Sequence, residues 1–435
     1  MEITPFMVGI IGLIILLILL FSRMPIGFVM ALVGIAGFAY LKGMDSGFSI
    51  LKIVPYRTWS SYDMSVVPLF VLMGTFSFYT GISRDLYDAA YKWLGHLPGG
   101  LGMATIGACS VFSAVSGSSI ACAATFGKVT LPEMKRYNYD PALATGCVAA
   151  GGTLDIMIPP SVMMIVYAII TGQSIGKLFL AGFIPGALEA LFYLATIYIL
   201  CKRNPAIGPR GPATSFKTKL TSFKGIWMSL LLFVLVIGGL YFGVFTPTEA
   251  GGIGAFGAFI FGLAQRRLKW QGFKESLNDA GKTTAMIFTI LLGAMIFNYF
   301  LAVTRLPNEL ASLIGGLTMN RYIILTGILL LYIVLGAIMD EMAMVLLTVP
   351  IFFPVIVALG FDPIWFGIII IMMCVLGMIA PPVGMIVYVI AGIAPDIPMF
   401  TIYRGAIPFF IAAILLVVLL VAFPQIVLFL PSMMK

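Results

Sequence analysis

The 435 residues are 61% hydrophobic and only 10% charged, an inventory that cannot clothe a soluble domain, so most of the chain must lie in lipid. The net charge of +8 is dispersed over short loops, which excludes a nucleic-acid face and leaves membrane topology as its explanation. One histidine, His96, and five cysteines without pairing or ligand spacing argue against haem, zinc and histidine-based catalysis.

Apolar stretches of about 17 or more residues, long enough to cross roughly 30 Å of hydrocarbon as helix, recur along the whole chain. The first, from Pro5 to Phe21, follows Glu2 rather than a basic region and lacks a small-residue cleavage site, so it is expected to be a span and not a signal peptide. Spans are predicted at 4-21, 25-41, 65-82, 139-171, 178-201, 225-243, 249-264, 284-303, 362-394 and 404-424. Two further blocks, 100-134 and 322-357, are too long for one crossing and are interrupted near the middle. Each is predicted to be a re-entrant hairpin that enters and leaves on one side. Segments 84-98 and 305-320 carry scattered charge with apolar residues at helical spacing, the pattern of interfacial arms.

The basic residues test this layout. With Arg23 inside and the first block a hairpin, the inner face also holds Arg84, Lys92, Lys128, Lys135, Arg136 and Arg404. The clusters Lys202 to Lys224 and Arg266 to Lys282 bring the inner total to 18 of 25 Lys and Arg. A plain crossing at 100-134 would throw both clusters outward. Both termini are then expected outside.

The Pro- and Gly-rich stretch 202-224 divides two halves that resemble each other. Asp140-Pro141 recurs as Asp362-Pro363, Pro132 as Pro354 and Pro159-Pro160 as Pro381-Pro382, all 222 residues apart. The hairpins then open from opposite sides, so the fold class expected is an all-α polytopic membrane protein with inverted repeats. Each repeat has a re-entrant hairpin and a broken transmembrane helix, the architecture of alternating access. The organisation predicted is 1-64 as N-terminal scaffold spans and 65-201 as the first repeat, with hairpin 100-134 and broken helix 139-171. Next come a basic cytoplasmic loop and scaffold spans at 202-283. The second repeat is 284-424, with hairpin 322-357 and broken helix 362-394, and 425-435 is a C-terminal tail.

The chemistry is expected where tips meet breaks. In the first half the tip Ser116, Gly117, Ser118, Ser119 faces the run Gly151, Gly152, Thr153, Leu154, Asp155 through Pro159, Pro160 and Ser161. Glycines and prolines at mid-membrane free carbonyls and amides that lipid cannot satisfy. Freed carbonyls at half-helix C-termini suit a hard cation such as Na+, and half-helix N-termini with serine hydroxyls suit a carboxylate. Packing kinks are the bland alternative for one such break, and two at matching positions favour function. In the second half the tip carries Gly336, Asp340 and Glu341, and the break carries Gly377, Ala380, Pro381, Pro382 and Gly384. The acids either compensate a coupling ion or cap the second limb of the hairpin. Asp155 poses the same choice. Thr246, Pro247 and Glu249 form a capping box, a structural device.

Taken together, Gly117-Ser118-Ser119-x-Ala121, Leu131-Pro132-Glu133-Met134, Ile158-Pro159-Pro160-Ser161, Thr246-Pro247-Thr248-Glu249-Ala250-Gly251 and Pro381-Pro382-Val383-Gly384 resemble the large membrane subunit of tripartite ATP-independent periplasmic (TRAP) transporters, along essentially the whole chain. The resemblance implies Na+-coupled uptake of organic acids such as sialic acid or C4-dicarboxylates. It also implies delivery by a periplasmic substrate-binding protein and an elevator motion of a transport domain against a scaffold, in the bacterial inner membrane. It implies Na+ sites at Ser118, Ser119, Gly151 and Gly152 and at Gly336, Asp340, Gly377 and Ala380. Substrate contacts are expected at Ser116, Thr153, Asp155, Pro160, Ser161 and Pro382. No cofactor besides Na+ as coupling ion is expected. Some members fuse a small four-helix subunit ahead of the large one; none precedes the first span here, so a separate small subunit is implied.

Three rivals stand beside this reading. A stand-alone cation-coupled anion symporter would share the hairpins and need no binding protein, so transport without partners would identify it. A membrane-embedded enzyme lacks a His/Cys pair, a ligand cluster or a serine with a base. A channel would lack saturable, gradient-coupled uptake.

Overall fold

The computed structural model describes residues 4–22, 24–316 and 319–434. Arg23, from which the charge count starts, and the two terminal residues whose side was predicted lie outside that range. Among the described residues every regular element is a helix.

The chain opens with α1 (Pro5–Phe21), α2 (Ile26–Lys42), α3 (Met44–Trp59), α4 (Val66–Tyr79) and α5 (Ile82–Leu94). The first hairpin is α6 (Gly100–Ser116) and α7 (Ser119–Arg136), and the first broken helix is α8 (Pro141–Met157) with α9 (Val162–Thr171). Then come α10 (Ile175–Arg203), α11 (Phe216–Tyr241), α12 (Pro247–Ala264), α13 (Trp270–Thr304) and α14 (Leu306–Gly315). The second hairpin is α15 (Arg321–Gly336) with α16 (Glu341–Ala358), and the second broken helix is α17 (Pro363–Ile379) with α18 (Met385–Ile393). The chain ends with α19 (Met399–Ala422) and α20 (Gln425–Met433).

The same local chemistry starts both broken helices. The Asp140 carboxylate accepts from the amides of Ala142 and Leu143 at 2.9 and 3.1 Å. Asp362 accepts from Ile364 and Trp365 at 2.8 and 3.0 Å. Each is followed by proline in the first helical turn, where a missing amide costs nothing. Both helices stop at a Pro-Pro pair, Pro159-Pro160 and Pro381-Pro382, each joined by a cis peptide bond. Between start and stop they are central and, apart from Thr145, Thr153 and Asp155 of α8, apolar all round: every residue from Leu143 to Met157 and from Ile364 to Ile379 is buried.

Both hairpins have their two ends together. At the first, the Gly99 amide donates to Gly208 and the Asp140 amide to Ile207, while the Tyr139 hydroxyl donates to the Pro209 carbonyl. The loop after α10 therefore clamps the base from both limbs. At the second, Arg321 at the start of α15 lies over the ring of Phe361, just past α16, and Tyr322 meets that ring edge-on with centroids 5.6 Å apart.

The repeats run in opposite directions. The Tyr167 hydroxyl near the end of α9 donates to the Pro363 carbonyl at the start of α17, at 2.7 Å. At the other end, Lys135 beside the start of α8 pairs with Asp396 beyond the end of α18, at 2.5 Å. One unit's beginning thus lies at its partner's end. α13 packs along α2 and α4, and α12 along α4, forming a layer beside the repeats.

Some elements differ from the sequence expectation. α3 is a helix that no apolar run announced, because Asp45, Lys52 and Arg57 interrupt it. The arm expected at 84-98 is helical as α5, and that at 305-320 as α14 over its described part. Within the stretch expected as a C-terminal tail, Gln425–Met433 form α20, which packs on α10 and α17. The boundary placed after residue 283 falls inside α13, a continuous helix of 35 residues. The capping box forms, with the Thr246 amide donating to Glu249 at 2.8 Å and the Glu249 amide to Thr246 at 3.3 Å.

Candidate functional site

At the first tip α6 ends on Ser116, and Gly117 turns the chain with φ +70°, a left-handed conformation natural to glycine. Ser118, in extended conformation, caps α7 by accepting from the Ala121 amide at 3.4 Å. The tip leans on α4, since a methyl on Gly74 would collide with the Ser116 carbonyl. Asp155, only 2% exposed, sets its carboxyl beside the Ser116 hydroxyl and the Gly117 amide, and its Oδ1 has no hydrogen-bond partner. Gly151 and Gly152, expected in the break, are not part of it: α8 stays helical to Met157 and opens only at Ile158–Ser161, and a methyl on Gly151 would stand 2.7 Å from Cys109 Sγ of the first limb. The Cys122 thiol points at the Gly151 carbonyl from 3.9 Å, and a methyl on Gly152 would stand 2.8 Å from Ala123 Cβ and 3.2 Å from Ile386 Cδ1. Ser119 is buried here, while Ser118 is exposed.

The second tip closes on its own broken helix. Gly336, Asp340, Glu341, Cys374, Gly377 and Gly384 are among the residues that line a cavity of about 40 Å³, room for a cation or a water. The Asp340 carboxylate caps α16, accepting from the Ala343 amide at 3.4 Å. Glu341 Oε2 is buried without a partner. Ala380 stands behind this lining, its carbonyl oxygen against Gly384.

Superposing the repeats by the 222-residue offset shows where charge is placed. Ser118 and Ser119 correspond to Asp340 and Glu341, and Asp155 corresponds to Gly377. In the first half-site the acid stands on the broken helix and faces a serine and glycine tip. In the second the acids stand on the tip and face a glycine of the broken helix. Each half-site thus sets a buried carboxyl oxygen against backbone at a helix end, the Ser116–Gly117 turn in the first and Gly377 in the last turn of α17 in the second, supplied from opposite partners. A buried carboxyl oxygen without a donor is satisfied by a cation, a water or a proton.

The remaining predicted residues fall in different places. Pro160 and Ser161 are buried at the first break, and Ser161 Oγ has no partner. Pro382 is exposed, its carbonyl accepting from the Tyr403 hydroxyl at 2.6 Å. The Thr153 hydroxyl points away from the tip into the contact with α10, donating to the Ala150 carbonyl at 2.8 Å with Glu189 Oε1 at 3.4 Å and the Tyr193 hydroxyl at 3.3 Å. Sequence reasoning missed Glu189, which is fully buried. The signal was available: it is the one acid in the 29 residues of α10.

Residues 13–426 match the family model described as "Tripartite ATP-independent periplasmic transporter, DctM component". The C4-dicarboxylate TRAP transporter large permease protein DctM of Pseudomonas aeruginosa is 35% identical, over 88% of this chain and 89% of that protein. The sialic acid TRAP transporter large permease protein SiaM of Vibrio cholerae is 33% identical, over 95% and 96%. Among solved structures, the Alcanivorax borkumensis YdaH transporter, whose topology is described as unusual, aligns with a TM-score of 0.61. It covers 88% of this chain and 90% of that one at 13% identity, a likeness of fold alone. With its helices long and apolar enough to cross a bilayer and its paired hairpins, the chain is a multi-pass membrane transport protein belonging to the TRAP transporter large permease family, the DctM component.

Proposed function

We propose that this chain carries small organic anions across the bacterial inner membrane in symport with Na+, by an elevator alternating-access mechanism. A periplasmic binding protein hands over the substrate, and a small membrane subunit completes the scaffold. The relatives named above for C4-dicarboxylates and sialic acid support the substrate class.

The observation that carries the reading is the exchange of acid and helix-end backbone between the two half-sites. Ser116, Gly117, Asp155, Gly151 and Gly152 would hold one cation, and Gly336, Asp340, Glu341 and Gly377 a second. A cation beside each buried carboxyl offsets a charge that costs several kcal/mol if left alone in lipid. With both tips occupied, the amides at the starts of α7, α9, α16 and α18 gain a net attraction for a carboxylate. Binding is thereby tied to ion occupancy, and the loaded unit moves as one body. No observation favours the stand-alone symporter over the tripartite form.

The test is uptake into proteoliposomes containing this chain, the small subunit and the binding protein, with Na+ imposed outside. Uptake should require all three proteins and the gradient. Equal uptake in choline would overturn Na+ coupling, and uptake by this chain alone would replace the tripartite reading with the stand-alone one.

A further inference from the structure

The polar cluster behind the first half-site has an internal control. Glu189 and Tyr193 on α10 and Thr153 on α8 are all fully buried, and Tyr193 packs edge-on against Phe409 of α19 with ring centroids 5.5 Å apart. In the second repeat Val375 replaces Thr153 at the 222-residue offset. Past the one-residue slip that aligns Pro185 with Pro408, Ala412 replaces Glu189 and Leu416 replaces Tyr193. All three replacements are buried. The fold therefore packs this position with methyls alone in one half and with a carboxyl, a hydroxyl and a phenol in the other. Buried polar networks are often no more stabilising than apolar residues of similar volume, so packing does not account for the difference.

What the cluster holds does account for it. The Thr153 hydroxyl bonds back to Ala150, so the clamp spans the single turn that contains Gly151 and Gly152. Those two glycines have no side chains of their own to fix that turn; Cys109 stands against Gly151, Ala123 and Ile386 against Gly152, and the Cys122 thiol faces the Gly151 carbonyl. Glu189 Oε2 has no partner, while Oε1 faces Thr153.

We infer that Glu189, with Tyr193, is a positioning residue: it holds Thr153, and through it sets the Gly151–Gly152 carbonyls for the cation at the first half-site. This rests on the Na+ reading above. Its role is through hydrogen bonds at Thr153 and not through contact with the ion or substrate.

The experiment uses the purified full chain, following thermal unfolding while Na+ replaces choline at constant ionic strength. Wild type should show a saturable rise in Tm. Glu189→Ala should need about tenfold more Na+ for half the effect, the scale by which partners behind metal ligands tune affinity. Glu189→Gln keeps an acceptor for Thr153 and should stay within about twofold of wild type. The triple variant Thr153→Val, Glu189→Ala, Tyr193→Leu installs the set that the second repeat already packs. It should unfold in choline near the wild-type temperature yet respond to Na+ as Glu189→Ala does. An unchanged Na+ response in Glu189→Ala or in the triple variant overturns the inference, as does a Glu189→Gln protein as impaired as the alanine. A wild type that ignores Na+ overturns the reading of function and this inference together, which separates the two failures.

Discussion

Gly336 and Gly377 meet backbone to backbone: a methyl on the first would lie 2.9 Å from the Gly377 Cα, and one on the second 2.8 Å from the Gly336 Cα. That contact seats the second hairpin tip on the second broken helix and leaves the cavity beside it. Gly377→Val forces the two apart, an overpacking strain of roughly 1–3 kcal/mol. The expected outcome is loss of Na+-dependent uptake with membrane insertion intact. Normal uptake by this variant would mean that the closed tip is not part of the cycle.

Asp340 caps α16 and also faces the cavity, and the two roles separate by substitution. Asparagine caps about as well as aspartate, whereas alanine loses about 1 kcal/mol of helix stability. Asp340→Asn should therefore unfold in choline at the wild-type temperature but lose the charge that a cation senses. Hydrogen bonds and contacts involving a charged group are worth roughly 1.5–3 kcal/mol, so its half-saturating Na+ should rise about tenfold or more. Asp340→Ala should show the same Na+ defect and a lowered Tm. Wild-type Na+ dependence in the asparagine variant would leave Asp340 as a cap alone.

At the first half-site, Gly152→Leu drives a side chain into Ala123 and Ile386 and should abolish Na+-dependent uptake. Ser119→Ala should be milder, by less than about threefold in half-saturating Na+, because a backbone carbonyl survives the change. A Ser119→Ala protein as inactive as Gly152→Leu would show that the hydroxyl itself coordinates.

The Lys135–Asp396 pair ties the base of the first hairpin to the end of the second broken unit, and both side chains are largely exposed. The hydrogen bond from Lys135 holds the Asp396 carboxyl below the usual aspartate range. A carboxylate lowered in the folded state contributes fully above its ordinary range and loses that contribution as pH falls through the lowered value. Exposure screens the pair, so Lys135→Gln should leave Tm unchanged within error at pH 7. Any difference from wild type that exists there should vanish on acidification toward pH 3. A Tm loss that persists at that pH would assign Lys135 a role other than this pair.

How much of this was legible in the sequence depends on which residues signal locally. The repeat was legible because Asp-Pro and Pro-Pro are rare, and their chemistry, a capped start and a broken helix, leaves little choice of structure. The tips were legible because Ser, Gly, Asp and Glu interrupt apolar runs. Glu189 was not sought, since it sits inside a continuous predicted span, and Pro185, beside Gly186 one turn before it, was read only as part of the repeat. Thr153 was assigned to the tip by its position beside Gly152, but helical geometry turns consecutive residues through about 100°, and its hydroxyl faces α10 instead. α3 was missed because a helix studded with Asp, Lys and Arg gives no apolar run, only a packed stripe at Gly47, Ile50, Val54 and Thr58.

Sidedness supplies the remaining prediction. Gly99, Tyr139 and Asp140 at the base of the first hairpin all bond to residues 207–209, so that loop and the base must share one face of the membrane. Gln173, Ser174 and Pro247 gather instead with Thr58 and Ser61 around a cavity of about 680 Å³. The broken helix α8 and α9 runs from the first group to the second, so the groups lie on opposite faces. The five native cysteines are buried, which keeps background labelling low. Single cysteines at Lys135 and Lys217 should react with a membrane-impermeant maleimide only from the inner side, the side favoured by the positive charges of 202-224, and one at Ser174 only from the outer. If positions 135 and 217 label from different sides, the first block crosses the membrane outright. The repeats would then be parallel in the bilayer, and alternation between two faces of one site would lose its structural basis.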